Sequence, residues 1–244
     1  MATILKRATK AILRWNELKT DADLIINYFN QGSFFAINRE EYDTWKKTWE
    51  EQGKPKDFEI HSYVGLVPRN NELRLALFFI DSYTDTQPVK GNKKYYNQQL
   101  KQSIYKRTLK GTIAITFKGY NAPANGFTAE EAMSRIQSWK LYKGEWLKTL
   151  LSKKPNDMVQ LFRIPFQDLV DLFETTQPII KDVILQMGLI QNENDQTLDL
   201  DMVLWSQKIK EGVMGFPRDF IQPCPPYCGD KENQYNLLYY ALEN

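Results

Sequence analysis

Histidine and cysteine are nearly absent from this chain, which has one His and two Cys in 244 residues. A Ser-His-Asp triad or a Cys-His dyad would have only His61 as its base. A dedicated zinc site lacks a ligand set, because that one histidine stands far in sequence from Cys224 and Cys228. Two cysteines are too few for a disulfide scaffold, so a reducing, cytoplasmic compartment is the expected location. No GxGxxG, Walker-type phosphate loop, HExxH, GxSxG or EF-hand loop occurs, which sets aside the enzyme and binding classes those motifs mark. Apolar runs fall short of the roughly 18–20 residues that cross a bilayer, so no membrane partner is expected. The basic, amphipathic start has the look of a mitochondrial presequence, but an internal repeat claims it for the fold.

Negative charge is missing from one long stretch. Between Asp85 and Glu130 there is no Asp or Glu, while Lys90, Lys93, Lys94, Lys101, Lys106, Arg107, Lys110 and Lys118 all fall there. From Gln167 to Ser206 the balance reverses, with Asp168, Asp171, Glu174, Asp182, Glu193, Asp195, Asp199 and Asp201 against Lys181 alone. The formal net charge of +2 hides this separation. Two such blocks attract each other within one chain or between copies.

What the chain does have is a globular composition, 42% hydrophobic and 13% aromatic, and a self-similarity at long period. Ala8 and Ala11, followed by Trp15, match Ala129 and Ala132, followed by Trp139. The strand-then-helix segment from Phe35 matches that from Phe162, 127 positions on; Gly65-Leu66-Val67 matches Gly188-Leu189-Ile190 at 123, and Leu73 to Leu77 matches Leu198 to Met202 at 125. Alternation agrees. Ile60, Ser62, Val64 and Leu66 share a strand face that maps onto Val183, Leu185, Met187 and Leu189; Leu73, Leu75, Leu77 and Phe79 map onto Leu198, Leu200, Met202 and Leu204. The repeat assigns residues 179–187 to a strand, although their spacing would also suit an amphipathic helix.

The expected fold is α+β, built of two duplicated units, each helix-helix-strand-helix-strand-strand, with antiparallel or mixed sheets and a pseudo-twofold relation. Residues 1–120 make the first unit with its basic connecting segment, and 121–244 the second with a Pro- and Cys-containing tail. Helix starts are marked at Thr20 or Asp21, at Asn38 with Glu41, and at Thr128 with Glu131. The turn Arg69-Asn70-Asn71-Glu72 suits a hairpin. Asn92 to Arg107 is expected to form a basic helix, Gly111 to Lys118 a strand and 121–126 a linker.

Few residues invite a chemical role. Lys93, Lys94, Tyr95, Tyr96, Lys101, Tyr105, Lys106 and Arg107 interleave cations with rings, the combination that contacts phosphates and stacks bases. On a helix, Tyr96, Leu100 and Ile104 would instead form a core stripe and leave the lysines solvated. Cys224 and Cys228 frame a proline-stiffened loop that suits a structural tail better than redox or metal work. His61, with Glu59 and Tyr63, is placed on the polar face of its strand, without a catalytic role. These residues point to a non-enzymatic interaction or scaffold module with a protein partner or a second copy of itself and no cofactor. Nucleic-acid binding through residues 90–118, or an enzyme with a carboxylate site at the seam between the units, are the alternatives.

Overall fold

In the computed structural model, residues 4–86, 103–111, 128–174, 180–192, 197–208, 213–214, 221–224 and 235–243 are described. They form a mixed α+β structure with seven α-helices and two antiparallel sheets. No described helix is long and apolar enough to cross a membrane.

The first half opens with α1 (Ile4–Leu18) and α2 (Ala22–Phe29). The chain breaks between them because the Asp21 side chain accepts the Leu24 N–H and restarts the helix. Strand β1 (Phe35–Asn38) then runs straight into α3 (Arg39–Glu51), whose first turn is closed by the Asn38/Glu41 capping box. Strands β2 (Glu59–Arg69) and β3 (Glu72–Asp81) form a hairpin. Its two-residue turn is Asn70-Asn71, both at positive φ (50° and 64°), which asparagine tolerates. A short helix α4 (Ser82–Thr86) and the edge strand β4 (Tyr105–Thr108) follow.

The second half begins with α5 (Ala129–Lys153), capped by Thr128 and Glu131. It continues through β5 (Leu161–Pro165), α6 (Phe166–Glu174), β6 (Asp182–Gln191) and β7 (Leu198–Lys208) to the short strands β8 (Val213–Met214) and β9 (Gln222–Cys224) and the closing helix α7 (Asn236–Glu243).

Two expectations need correction. The second half has one 25-residue helix in place of two. No capping side chain interrupts it at the position of Asp21, and Gly144 lies inside it with open space around its α-carbon. Tyr105 to Arg107, placed at the end of a basic helix by sequence, lie instead in strand β4, which pairs with residues 76–79 of β3. Residues 92–102 of that expected helix, the expected strand over 112–118 and the 121–126 linker lie outside the described residues. Strand β6, by contrast, is a strand where its spacing was ambiguous.

Both sheets draw strands from both halves. The four-stranded sheet has the order β1-β6-β7-β8, and the five-stranded one β4-β3-β2-β5-β9. Strand β1 therefore pairs with the hairpin of the second half (Phe35 opposite Leu185, Ile37 opposite Val183), and β5 pairs with the hairpin of the first (Phe162 opposite Ser62, Ile164 opposite Ile60). A lone bridge between Phe34 and Lys110 joins the sheets at the β1 and β4 edges.

The main core lies on the strand faces read as apolar from the alternation, and both halves contribute to it. Ile60, Val64, Leu75, Leu77, Val183, Leu185, Met202 and Leu204 meet Trp15, Phe29, Trp45, Trp139 and Phe166 there. Each such side chain, fully buried, contributes about 1.5–3 kcal/mol. The opposite faces are covered as well. Helices α1 and α7 close over Tyr63, Ala76, Phe78 and Ile80, and α5 closes over Ile184, Val203 and Trp205. Gly65 marks how closely α1 crosses β2, since a Cβ there would lie 2.9 Å from the Phe78 ring and 3.0 Å from the Ala11 Cβ.

Candidate functional site

Covering the second strand faces buries a polar cluster that alternation had assigned to solvent. His61 is 3% exposed, a correction to its expected place on a polar face. Its Nδ1 lies 2.6 Å from Asp85 Oδ2. An ionised carboxylate only accepts, so Nδ1 carries the proton. Tyr63 donates its hydroxyl to the same Oδ2, and the Leu237 N–H, in the first turn of α7, donates to Oδ1 at 2.9 Å. One fully buried carboxylate on α4 thus ties β2 to the C-terminal helix. Asp81 braces α4 in turn, accepting from the Thr84 N–H and hydroxyl, each at 2.8 Å. Burial pushes the Asp81 carboxyl above its usual range, against those hydrogen bonds.

On the far side of the imidazole, Nε2 stands 3.9 Å from Glu59 Oε2. Arg163 clamps Glu59 with two 2.8 Å hydrogen bonds, and β5 sets it directly opposite His61 in the ladder. The Tyr235 ring closes over His61 at 5.1 Å. A carboxylate holding Nδ1 is the arrangement that readies Nε2 as a base. Here that nitrogen faces Tyr235 and Glu59, whose side chain is 19% exposed, while the imidazole itself is buried. The cluster works as a polar rivet between β2, α4, β5 and α7.

An open groove of about 1110 Å³ lies elsewhere, between α5 and the β6–β7 hairpin. Its floor is an edge of the main core, including Trp146, Val159, Leu189 and Leu200. Glu131 and Glu145 line it along α5, Lys153 and Lys154 at the end of that helix, and Asp199 on β7. The wall is fixed by the Arg135–Asp201 ion pair at 2.9 Å, both partners largely buried. Among the described residues, neither histidine nor cysteine lines it. Beside the groove, the large side chains of Leu141 and Tyr142 are 73% and 47% exposed on α5.

Of the basic aromatic candidates, Lys93, Lys94, Tyr95, Tyr96 and Lys101 lie outside the described residues. Tyr105 stacks edge-on against Trp45 at 5.6 Å, so its ring belongs to the core margin. Arg107 pairs with the buried Glu41 at 2.7 Å and donates Nε to the Ala36 carbonyl at 3.1 Å. Burial raises the Glu41 carboxyl despite the opposing Asn38 and Arg107 contacts. Lys106 is exposed. Cys224 is buried in β9 and disulfide-bonded, which withdraws its thiolate from metal work; Cys228 lies outside the described residues. Among the described residues no group of three or more His, Cys, Asp or Glu could hold a metal ion.

The acidic block is partly engaged within the chain. Glu174 accepts from Tyr42 at 2.9 Å and from Lys46 at 3.1 Å, with Arg39 at 3.3 Å. Its carboxyl is held below the usual range, because these donors outweigh the effect of burial. Asp201 is taken by Arg135. Comparison with known proteins adds no relative: no family model matches the chain, and neither a curated protein nor a solved structure matches it.

Proposed function

We propose that this chain is a non-enzymatic interaction module, made of two duplicated units that exchange their first strands, and that it pairs with a second copy of itself along α5. The duplication is supported by hairpin register. Gly65 sits opposite Ala76 and Gly188 opposite Asp201, which keeps the 123 and 125 offsets found in the sequence. The exchanged strands keep theirs too, since Phe35 opposite Leu185 maps onto Phe162 opposite Ser62. The first helices agree at 124, where buried Ala8, Ile12 and Trp15 correspond to Ala132, Ile136 and Trp139. That moves the helix match by one step from the Ala-x-x-Ala pairing at 121.

The observation that carries the functional reading is the separation of chemistry from access. The His61–Asp85 pair, arranged like a catalytic pair, is buried beneath α7, whereas the open groove presents an apolar floor and a rim of both charges. That rim is self-complementary. Two α5 helices laid antiparallel about Tyr142 bring Glu131 of one copy opposite Lys153 of the other and put the exposed Leu141 and Tyr142 pairs together.

Sedimentation velocity from about 1 to 100 µM protein tests it, with salt varied between about 50 and 500 mM. A dimer that weakens with salt and is lost in Leu141→Glu and Tyr142→Ser is expected. A monomer at every concentration would remove the self-association.

A further inference from the structure

A second concavity, with different chemistry, lies at the seam between the two sheets. The ladder between β1 and β4 consists of the single Phe34–Lys110 bridge, sealed by a 2.8 Å hydrogen bond from the Lys110 N–H to the Phe34 carbonyl. Beyond it a pocket of about 440 Å³ opens, lined by Arg69 at the end of β2, Lys106 and Arg107 on β4, and Lys110. Asn38, Thr108 and Asp182 add to its polar lining, and Asp182 is the only carboxylate among the described residues there. The volume falls within the range of small-ligand sites.

The charges in this pocket are unevenly committed. Arg107 is fixed by Glu41, the Ala36 carbonyl and the Lys106 carbonyl, which engage three of its five N–H donors. Among the described residues, Arg69, Lys106 and Lys110 form no ion pair. Arg69 and Lys106 are therefore uncommitted, the Lys110 ammonium lies over the Phe34 ring at 5.9 Å, and Asp182 is the carboxylate that lines the pocket with them, on a chain whose formal net charge is only +2. The Asn38 carbonyl oxygen is occupied by the Glu41 N–H, so the remaining hydrogen-bonding capacity of that amide is mainly as a donor. Strand β4 also sits within the stretch from 86 to 129 that has no carboxylate, so its neighbours in sequence add no opposing charge.

Cations from separate strands, one of them a guanidinium held rigid by a buried carboxylate, suit a compact multivalent anion better than a single carboxylate. The geometry points to a phosphate-binding site formed by Arg69, Lys106, Arg107 and Lys110, which takes the phosphate groups of a nucleotide or of a single-stranded nucleic-acid backbone. The site stands apart from α5 and does not depend on self-association.

Two probes distinguish the sources of phosphate: inorganic tripolyphosphate followed by calorimetry, and a labelled single-stranded thymidine 20-mer followed by anisotropy, both at about 50 mM salt. Saturable binding of at least one is expected, weakened about tenfold or more in Arg69→Ala, Lys106→Ala and Lys110→Ala. Lys47→Ala and Lys56→Ala, exposed cations elsewhere, should leave it unchanged. For the oligonucleotide, each lost phosphate contact lowers the salt slope by about 0.7. Tripolyphosphate binding alone assigns a small phosphorylated ligand, and much tighter oligonucleotide binding assigns the backbone. Thermal melts of each variant show that the fold is kept, since all three cations project from the surface. No saturable binding of either probe up to about 1 mM, or equal losses in the two control variants, would overturn the site.

Discussion

Replacing Asp85 by alanine should loosen the C-terminal helix first and the whole fold with it. The carboxylate accepts from the Leu237 N–H, the Tyr63 hydroxyl and His61 Nδ1, and it is fully buried. Asp85→Ala leaves three buried donors without an acceptor, each costing about 1–3 kcal/mol. The costs do not simply add, because α7 can move and let water reach the Leu237 N–H. A loss of about 3–5 kcal/mol is expected, a large part of the roughly 5–15 kcal/mol that holds a typical domain. Asp85→Asn should recover little, since its amide brings two more donors to a site that needs acceptors. Tyr63→Phe removes one donor and keeps the acceptor, so it should cost only about 0.5–1.5 kcal/mol. Urea unfolding followed by tryptophan fluorescence gives the totals, and hydrogen exchange over 236–243 shows whether α7 detaches first. If Asp85→Ala stayed within about 1 kcal/mol of the parent, with unchanged exchange in α7, the rivet would not exist.

Three further outcomes are expected. Breaking the chain between Asn121 and Ala122 should yield two fragments that are unfolded apart and regain cooperative unfolding when mixed, because β1 and β5 each pair with the other half; a fragment that folds alone refutes the exchange. Gly65→Ala should cost about 1–3 kcal/mol in urea unfolding. Gly188→Ala should cost less, because its nearest neighbour, the Arg135 Cβ, is 3.1 Å away against 2.9 Å at Gly65; the reverse order would contradict the packing. Glu174→Gln should cost about 0.5–1 kcal/mol at pH 7, a figure reduced because the side chain is 38% exposed. A carboxyl held low stabilises the fold above its unfolded pKa of about 4.3 and loses that as pH falls through the folded value, so the gap should close towards pH 3; a gap independent of pH counts against the ion pairs.

What the sequence made legible was local. Asp21, the Asn38/Glu41 box and the Thr128/Glu131 box act within three residues, and the Asn70-Asn71 turn within two, so spacing alone locates them. The inner strand faces were legible because period-2 alternation needs no knowledge of the partner. The outer faces were not. His61 reads as polar until α7 covers it, and α7 is held by Asp85 across 152 residues. A signal was present all the same: Tyr63 to Pro68 of β2 carry no charge, as suits a strand covered on both sides, and a histidine two positions before that run needs a partner once it is buried. Tyr105 to Arg107 failed for a related reason, since so short a strand carries no helix-against-strand signal of its own and β3 decides for it.

The distribution of charge bears on both proposals. Read as blocks, residues 86–129 and 167–206 look made for each other. In the fold, Glu174 is held by Arg39, Lys46 and Tyr42, and Asp201 by Arg135, so these two members of the acidic stretch are paired with cations from outside the basic one. Arg107, within the basic stretch, is taken by Glu41. Fewer charges are left for contact between copies than the blocks suggest. A dimer along α5 must then rest mainly on Leu141, Tyr142 and the Glu131 and Lys153 ends, whereas phosphate binding rests on Arg69, Lys106 and Lys110. The two sets share no residue, so a charge reversal at Lys153 should alter association and leave phosphate binding alone, and one at Lys106 should do the opposite.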